Sequence, residues 1–409
     1  MDILLKNVII DESNKVVDVL AKDGIITEIG ENLEAGNAKV YDGGKHVLIP
    51  GLVESHIHLD KALIADRLPN KSGTLKEALE VTGKLKSTFT KEDIRDRATR
   101  ALEMLIKNGT TYVRTHSEFD PVGGFHGFET IMELKEKYKK VIEMQVVAFP
   151  QEGIIKSPGT EEMMHRAMEM GADIVGGVPY NDTSAEKHID IVFEIAKKYD
   201  KDIDLHQDFK DGPEGQSIEY LCRKTIAEGY TGRVSVGHLT SLGGMPTDQL
   251  KPIIELMAKA QISVMSLPMT DLHLGGRNDD FNVRRAITPI RKLRDGGVNV
   301  VLASNNIRNP FTPYGNGDMM LLAAVAIAAG HLGGADDLPT VLPMLTTGPA
   351  KALKLEKYGI GVGNKATFVL LDSTRYQESL IDVPAKLLVV KDGNVTVELK
   401  KELNRLYTV

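Results

Sequence analysis

Two histidines one residue apart, His56 and His58, end an apolar run that starts at Val47. Strand side chains alternate with period 2, so a strand ending in His-x-His turns both imidazoles to one face. Two neutral imidazoles side by side begin a divalent metal site. Polar residues follow other short apolar runs in the same way: His116 and Glu118, Gln151 and Glu152, His206 and Asp208, His238, then Ser304, Asn305 and Asn306. If each run is a strand of one parallel barrel, these residues share its C-terminal rim, where such barrels carry their chemistry. Three neutral imidazoles, from His56, His58 and His206, would leave one divalent ion its full charge and an open position for water. Such an ion lowers the pKa of its water from ~15.7 towards ~7. Attack on an electrophilic carbon then needs a group that moves protons, and imidazole titrates near neutrality, which points to His238. His116 reads as a hydrogen-bonding or substrate-contacting member of the rim rather than a ligand.

The elements that must position these residues alternate. Besides the segment leading into His56, strands are expected at residues 111–115, 143–149, 173–178, 202–205, 233–237, 262–267 and 298–303. Helical patterns fall at 91–108, 127–138, 160–170, 185–199, 217–228, 247–260 and 282–295. Eight strands with intervening helices predict an α/β protein, a (β/α)8 TIM barrel. A doubly wound sheet is the alternative, but no Gly-x-Gly-x-x-Gly joins a first strand to a helix. The two ends of the chain carry short strands punctuated by glycines, which predicts a small discontinuous β-sandwich domain built from both termini. Residues 1–50 and 355–405 are assigned to it, and 51–354 to the barrel.

Composition narrows the class of function. A chain of 409 residues suits a barrel plus an accessory domain. A net charge of −7 argues against nucleic acid as a partner. The single cysteine, Cys222, excludes an internal disulfide and suits a reducing, cytoplasmic setting. Residues 1–6 lack a signal-peptide pattern, and no run of ~18 apolar residues predicts a membrane span. Residues 319–329 are apolar nearly all round, which suits a buried helix or a subunit interface in a homo-oligomer.

Several segments together resemble the amidohydrolase superfamily, in its cytosine deaminase-like branch. They are His56-Ile57-His58-Leu59-Asp60-Lys61, Val113-Arg114-Thr115-His116, and the stretch from Val146 to Ile154 that contains Phe149-Pro150-Gln151-Glu152-Gly153. Further on come His206-Gln207-Asp208, Gly237-His238 and Leu272-His273-Leu274-Gly275-Gly276-Arg277. The stretch from Ala303 to Met319 looks most like the triazine-degrading members. The resemblance implies one divalent metal ion, zinc or iron, and hydrolysis of a C–N bond on a small heterocyclic substrate. It carries the metal ligands onto His56, His58 and His206, the histidine after the sixth strand onto His238, and the glutamine that grips the ring onto Gln151. Phe311 is expected to face the ring, with Asn306 beside it. Two positions depart from the family pattern. The aspartate after the eighth strand, a ligand and proton shuttle, is Asn305 here, which offers a carbonyl oxygen but takes up no proton. The glutamate three residues after the fifth-strand histidine is Phe209, which argues against strict cytosine deamination. Asp208, Asp211, Glu118 and Glu152 are the carboxylates available to replace it, each expected more readily as a supporting or loop residue than as the acid. A protein that keeps the barrel and binds a small molecule without catalysis is the alternative. Lys61, Arg277 and Arg308 are expected in ion pairs, with an anionic substrate group as the other partner to consider.

Overall fold

The computed structural model describes residues 2–285 and 287–400. Four strands open the chain: β1 (Ile3–Ile9), β2 (Val16–Lys22), β3 (Ile25–Gly30) and the long β4 (Lys39–Pro50). Eight follow in one sheet, in chain order: β5 (Leu52–Ile57), β6 (Thr110–Glu118), β7 (Glu143–Phe149), β8 (Ile174–Gly177), β9 (Asp202–Gln207), β10 (Val234–His238), β11 (Ser263–Ser266) and β12 (Asn299–Leu302). The pairings from β6 to β12 are parallel throughout. Every residue of β5, β8, β10 and β11 is buried, as strands covered on both faces require. The sheet closes on itself just beyond β12. Asn305 N donates to His56 O at 2.8 Å, and His58 N donates to Asn305 O at 2.9 Å, in a parallel bridge between Ile57 and Asn305. The seam of the barrel therefore runs through Asn305.

The helices are α1 (Leu75–Lys86), α2 (Lys91–Lys107), α3 (His126–Tyr138), α4 (Thr160–Glu169), α5 (Ala185–Tyr199), α6 (Ile218–Ala227), α7 (Thr247–Lys259), α8 (Pro268–Leu274), α9 (Ile290–Asp295), α10 (Met319–Ala329) and α11 (Thr347–Ala352). Two differ from expectation. The helix expected over 282–295 is confined to the six residues of α9. Pro289 disfavours helical backbone at the residue before it and cannot donate within a helix. Residue 286 of that expected helix lies outside the described residues. α1 was not expected, because Thr82 and Gly83 weaken its helical signal. Its start is fixed by Thr74, whose side chain accepts from Glu77 N, and it buries Ala78, Val81 and Lys86.

The chain ends in β13 (Phe368–Leu371), β14 (Lys386–Lys391) and β15 (Asn394–Glu398). With the first four strands they form a seven-stranded sheet, ordered β15-β14-β13-β4-β1-β2-β3. β4 carries both halves: it runs parallel to β1 as far as Val47, then pairs antiparallel with β13. One core takes Ile3, Leu5, Val19 and Ala21 from one half and Phe368, Leu370, Leu388 and Val390 from the other. The sheet thus folds over itself as a sandwich, as expected. Its internal contacts join residues up to Leu52, Ile106–Thr111 and residues from Glu356 onward; the barrel unit is Val53–Leu105 and Tyr112–Leu355. Residues 401–405, assigned to the small domain from sequence, lie outside the described residues. Among the described residues no helix is long and apolar enough to cross a membrane.

Candidate active site

β5 and β9 end with their imidazoles turned into the barrel mouth. His206 Nε2 lies 3.2 Å from His56 Nε2 and 2.9 Å from His58 Nε2. Two nitrogens each ~2.0–2.1 Å from one ion stand roughly 2.8–3.4 Å apart between right and tetrahedral angles, so the spacing fits shared coordination. Burial first, and the crowding of the neighbouring imidazoles second (with Lys61 ahead of them at His58), push all three rings well below the ordinary histidine pKa. They are neutral at neutral pH, which is the form that binds a metal. Their mutual contacts do not satisfy them. A neutral imidazole has one donor nitrogen, so His206 Nε2 cannot donate to two neighbours. The three Nδ1 atoms are buried without a hydrogen-bond partner. A cation among the Nε2 atoms resolves the conflict, and the residues fit a divalent ion. The close approach is built into β10: a Cβ on Gly237 would lie 2.7 Å from His56 Cε1.

Around this cluster the strand exits are bent. His238 and Asn305 have φ of 72° and 62°. Left-handed backbone at residues other than glycine costs ~1–3 kcal/mol each and gathers at functional sites. His238 Nδ1 is 2.8 Å from Asp271 Oδ1, on α8. Burial raises the Asp271 carboxyl, with His238 opposing. Asn305 Oδ1 is buried and has no hydrogen-bond partner.

His116 takes the hydrogen-bonding one of the two roles expected of it. It stands against His56 with ring centroids 4.0 Å apart, and its Nε2 is 3.2 Å from Asp204 Oδ1. Asp204 also accepts from Arg114 Nη1 at 2.8 Å. These groups underlie the imidazoles, and His116 is not among the residues lining the pocket. The expected substrate contact at His116 is therefore replaced by a supporting one. Its ring stands beside those of His56, His58 and His206, which places it on the inner face of the barrel.

The pocket itself is lined by His58, His206 and His238 together with Gln151, Phe209, Asn305, Asn306 and Phe311, all expected from sequence. Lys61, Leu75, Tyr180, Thr270 and Leu274 complete it. Phe209 and Phe311 pack in one apolar cluster with Ala78 and Leu274, so the unexpected α1 supplies part of the wall. Phe209 also lies against His238, ring centroids 4.6 Å apart. Lys61 Nζ donates to Glu118 Oε2 at 2.6 Å and Gln151 Oε1 at 2.9 Å, the ion pair expected of it. Lys86 binds Glu118, Asp120 and Glu152 behind it. Burial works to raise the Glu118 carboxyl, but the two ammonium groups outweigh it and hold it at about 2. Asp208 instead receives Ser217 N and Ile218 N at the start of α6, and Asp211 receives Gly276 N. None of the four carboxylates considered from sequence lines the pocket. Arg277 and Arg308 depart from the ion pairs expected of them: Arg277 Nε donates to His273 O, and Arg308 Nε to Gly315 O.

Sequence reading missed Asp271 and Tyr180. It drew no residue from the exits of the fourth and seventh strands, although both follow short apolar runs of the same kind. Asp271 lies just before the Leu272–Arg277 segment that resembles the family.

Comparisons with known proteins agree with this architecture. The chain is 32% identical over 405 residues to N-isopropylammelide isopropyl amidohydrolase of Pseudomonas sp. (strain ADP), covering 97% of each chain. It is 30% identical to pterin deaminase of Rhizobium rhizogenes, over 96% of this chain and 90% of that one. The crystal structure of 5-methylcytosine deaminase from Klebsiella pneumoniae, liganded with phosphonocytosine, superposes with a TM-score of 0.93 at 30% identity, over 99% of this chain and 100% of that one. The sequence profile of the amidohydrolase family matches residues 63–397. With its closed barrel, terminal sandwich and convergent histidines, the chain belongs to the amidohydrolase family.

Proposed function

We propose that this amidohydrolase cleaves a C–N bond on a small nitrogen heterocycle, with water as co-substrate and one divalent ion, zinc or iron, held by His56, His58 and His206. The observation that carries the reading is the meeting of the His56, His58 and His206 Nε2 atoms, with partnerless Nδ1 atoms, where His58 and His206 border the pocket. A divalent ion bound there acts as a Lewis acid and lowers the pKa of water towards ~7. The chain supplies the rest. Asp271 engages His238 Nδ1, which fixes the ring and leaves Nε2 to face the pocket. His238 takes a proton from water as the C–O bond forms, then delivers it to the leaving nitrogen as the C–N bond breaks. Phe209 and Phe311 wall a flat ring, and Gln151 and Asn306 hydrogen-bond its edge. Asn305 offers its carbonyl oxygen to the ion without adding charge.

The test is incubation of metal-replete protein with a panel of pyrimidines, pterins and triazines, assayed for released ammonia or amine. Turnover of one ring, lost on chelation and restored by metal, is expected. No turnover of any ring by protein with bound metal would overturn the reading. A second reading, a small-molecule binder without catalysis, is favoured by the neutral Asn305 and Phe209; it predicts activity only after Asn305→Asp.

Two further properties belong to this reading. α10 leaves Leu321 and Ala328 exposed on an otherwise apolar helix, which suits a homo-oligomer; light scattering of the purified chain tests this. Cys222 is free and buried, which suits a reducing, cytoplasmic setting.

A further inference from the structure

The pocket differs from a site built for a cationic or amidine-like ring in one respect: among the described residues that line it, none is Asp or Glu. Its polar groups also present donors, and their orientation is forced. Lys61 is donor-only, so the atom of Gln151 that faces it at 2.9 Å is the oxygen. The Gln151 amide nitrogen is thereby left for a ligand. Asn309 Oδ1 accepts from Phe311 N at 3.0 Å and Thr312 N at 3.1 Å. Its amide nitrogen must therefore donate to Asn306 Oδ1, at 2.6 Å. That leaves the Asn306 amide nitrogen as a donor as well. Lys61 uses two of its three hydrogens on Glu118 and Gln151, and its ammonium lies 5.5 Å from the centroid of the Phe311 ring. Three donors, one of them charged, border the apolar wall that would face a flat ring. The acceptor without a partner, Asn305 Oδ1, sits on the side of the imidazoles.

We propose that the ring this pocket takes is an anion, its charged acceptor edge met by the donors of Lys61, Gln151 and Asn306. The choice of a ring rests on the hydrolytic reading above; the choice of charge does not. A neutral amidine edge offers one acceptor nitrogen and would set its amino donor against the remaining donors. An anionic edge, an ionised imide or a ring carboxylate, pairs with all three and gains the stronger hydrogen bonds of ionised partners.

The experiment is calorimetric binding at pH 7 of barbiturate, a ring anion, and uracil, a neutral ring of nearly the same outline, to zinc-loaded and to chelated protein. Barbiturate is expected to bind about tenfold more tightly, the worth of one charge-assisted hydrogen bond. The preference should survive chelation, because the donors belong to the chain. It should vanish in Lys61→Met. Gln151→Glu keeps a partner for Lys61 but turns a donor into an acceptor, so it should also abolish the preference, and it serves if Lys61→Met does not fold. Equal or tighter binding of uracil, or a preference unchanged in the variants, overturns the proposal. Hydrolysis of neutral rings without barbiturate preference would sink this inference and leave the hydrolase standing. Lys61-dependent barbiturate binding without hydrolysis of any ring would do the reverse.

Discussion

Two buried polar clusters share the mouth of the barrel, and they are built on opposite plans. In one, Lys61 and Lys86 meet Glu118, Asp120 and Glu152, so each buried charge has a partner of the opposite sign. In the other, His56, His58 and His206 crowd their Nε2 atoms together while their Nδ1 atoms find nothing. An unpaired buried polar group costs ~1–3 kcal/mol, and a buried charge without a partner costs more. The lysine–carboxylate cluster settles that cost within the chain. The imidazole cluster leaves it to be settled by something from outside. Partnering thus distinguishes the two clusters more sharply than burial does, although Lys61 reaches the pocket as the histidines do.

The difference predicts opposite consequences for removing a central member. His206→Ala removes the imidazole that contacts both others. Hydrolysis is expected to fall by ~10⁴-fold or more with loss of bound metal, because the ion's stabilisation is worth several kcal/mol. Thermal stability of the metal-free protein should hold or rise, since a conflict has been removed. Elemental analysis with a melting curve checks both. Glu118→Gln should do the reverse. It leaves the buried Lys61 ammonium without a carboxylate, while Lys86 keeps Asp120 and Glu152, and a loss of ~3–5 kcal/mol in unfolding free energy is expected by denaturant titration. The same carboxyl gives a pH signature. Its pKa is about 2 in the fold against an ordinary 4.5. A depressed folded value contributes stability that is complete above the unfolded value and is lost as pH falls through the folded one. Stability should therefore drop between about pH 4.5 and 2, and less steeply in Glu118→Gln.

The imidazole cluster was legible in the sequence because its physics is local. Strand period places His56 and His58 on one face, and the barrel's rule about strand ends gathers His206 and His238. The lysine network was not legible in the same way. Lys86 lies on a helix that sequence reading passed over, and its carboxylates come from β6 and the loops after β6 and β7. Long flexible side chains leave no periodic trace of where their heads meet. Lys61 shows the boundary: its pairing was foreseeable in kind, but Glu118 as the partner was not. His116 shows a second one. Its place at a strand end was readable, but the direction of its ring depends on Asp204 and Arg114, which lie on β9 and β6 with their side chains inside the barrel.

His238 stands between the two plans, an imidazole with a carboxylate partner. Asp271→Asn keeps the shape of that partner and removes its charge. The ring loses the group that fixes its orientation and stabilises its protonated form. A fall of about 10²-fold in kcat is expected, with KM and metal content nearly unchanged. An equal loss in metal content would instead make Asp271 part of the ion's support.

The smallest expected change is the most direct test of the contrast. Asn305→Asp gives the imidazole cluster a counter-charge of its own. The two side chains have the same shape, and the backbone bonds of Asn305 to His56 and His58 close the barrel in either case. Left-handed backbone is also tolerated by aspartate as by asparagine. The fold should therefore be unchanged, and the effect should be electrostatic. Metal affinity is expected to rise by about tenfold, measured by competition with a chelator. The added negative charge should also weaken barbiturate binding while leaving uracil nearly unaffected. Those two shifts must appear together, because both follow from one carboxylate replacing a neutral amide beside the ion. If affinity for metal rises and barbiturate is untouched, the anion is recognised too far from Asn305 for the contrast between the clusters to govern the choice of substrate.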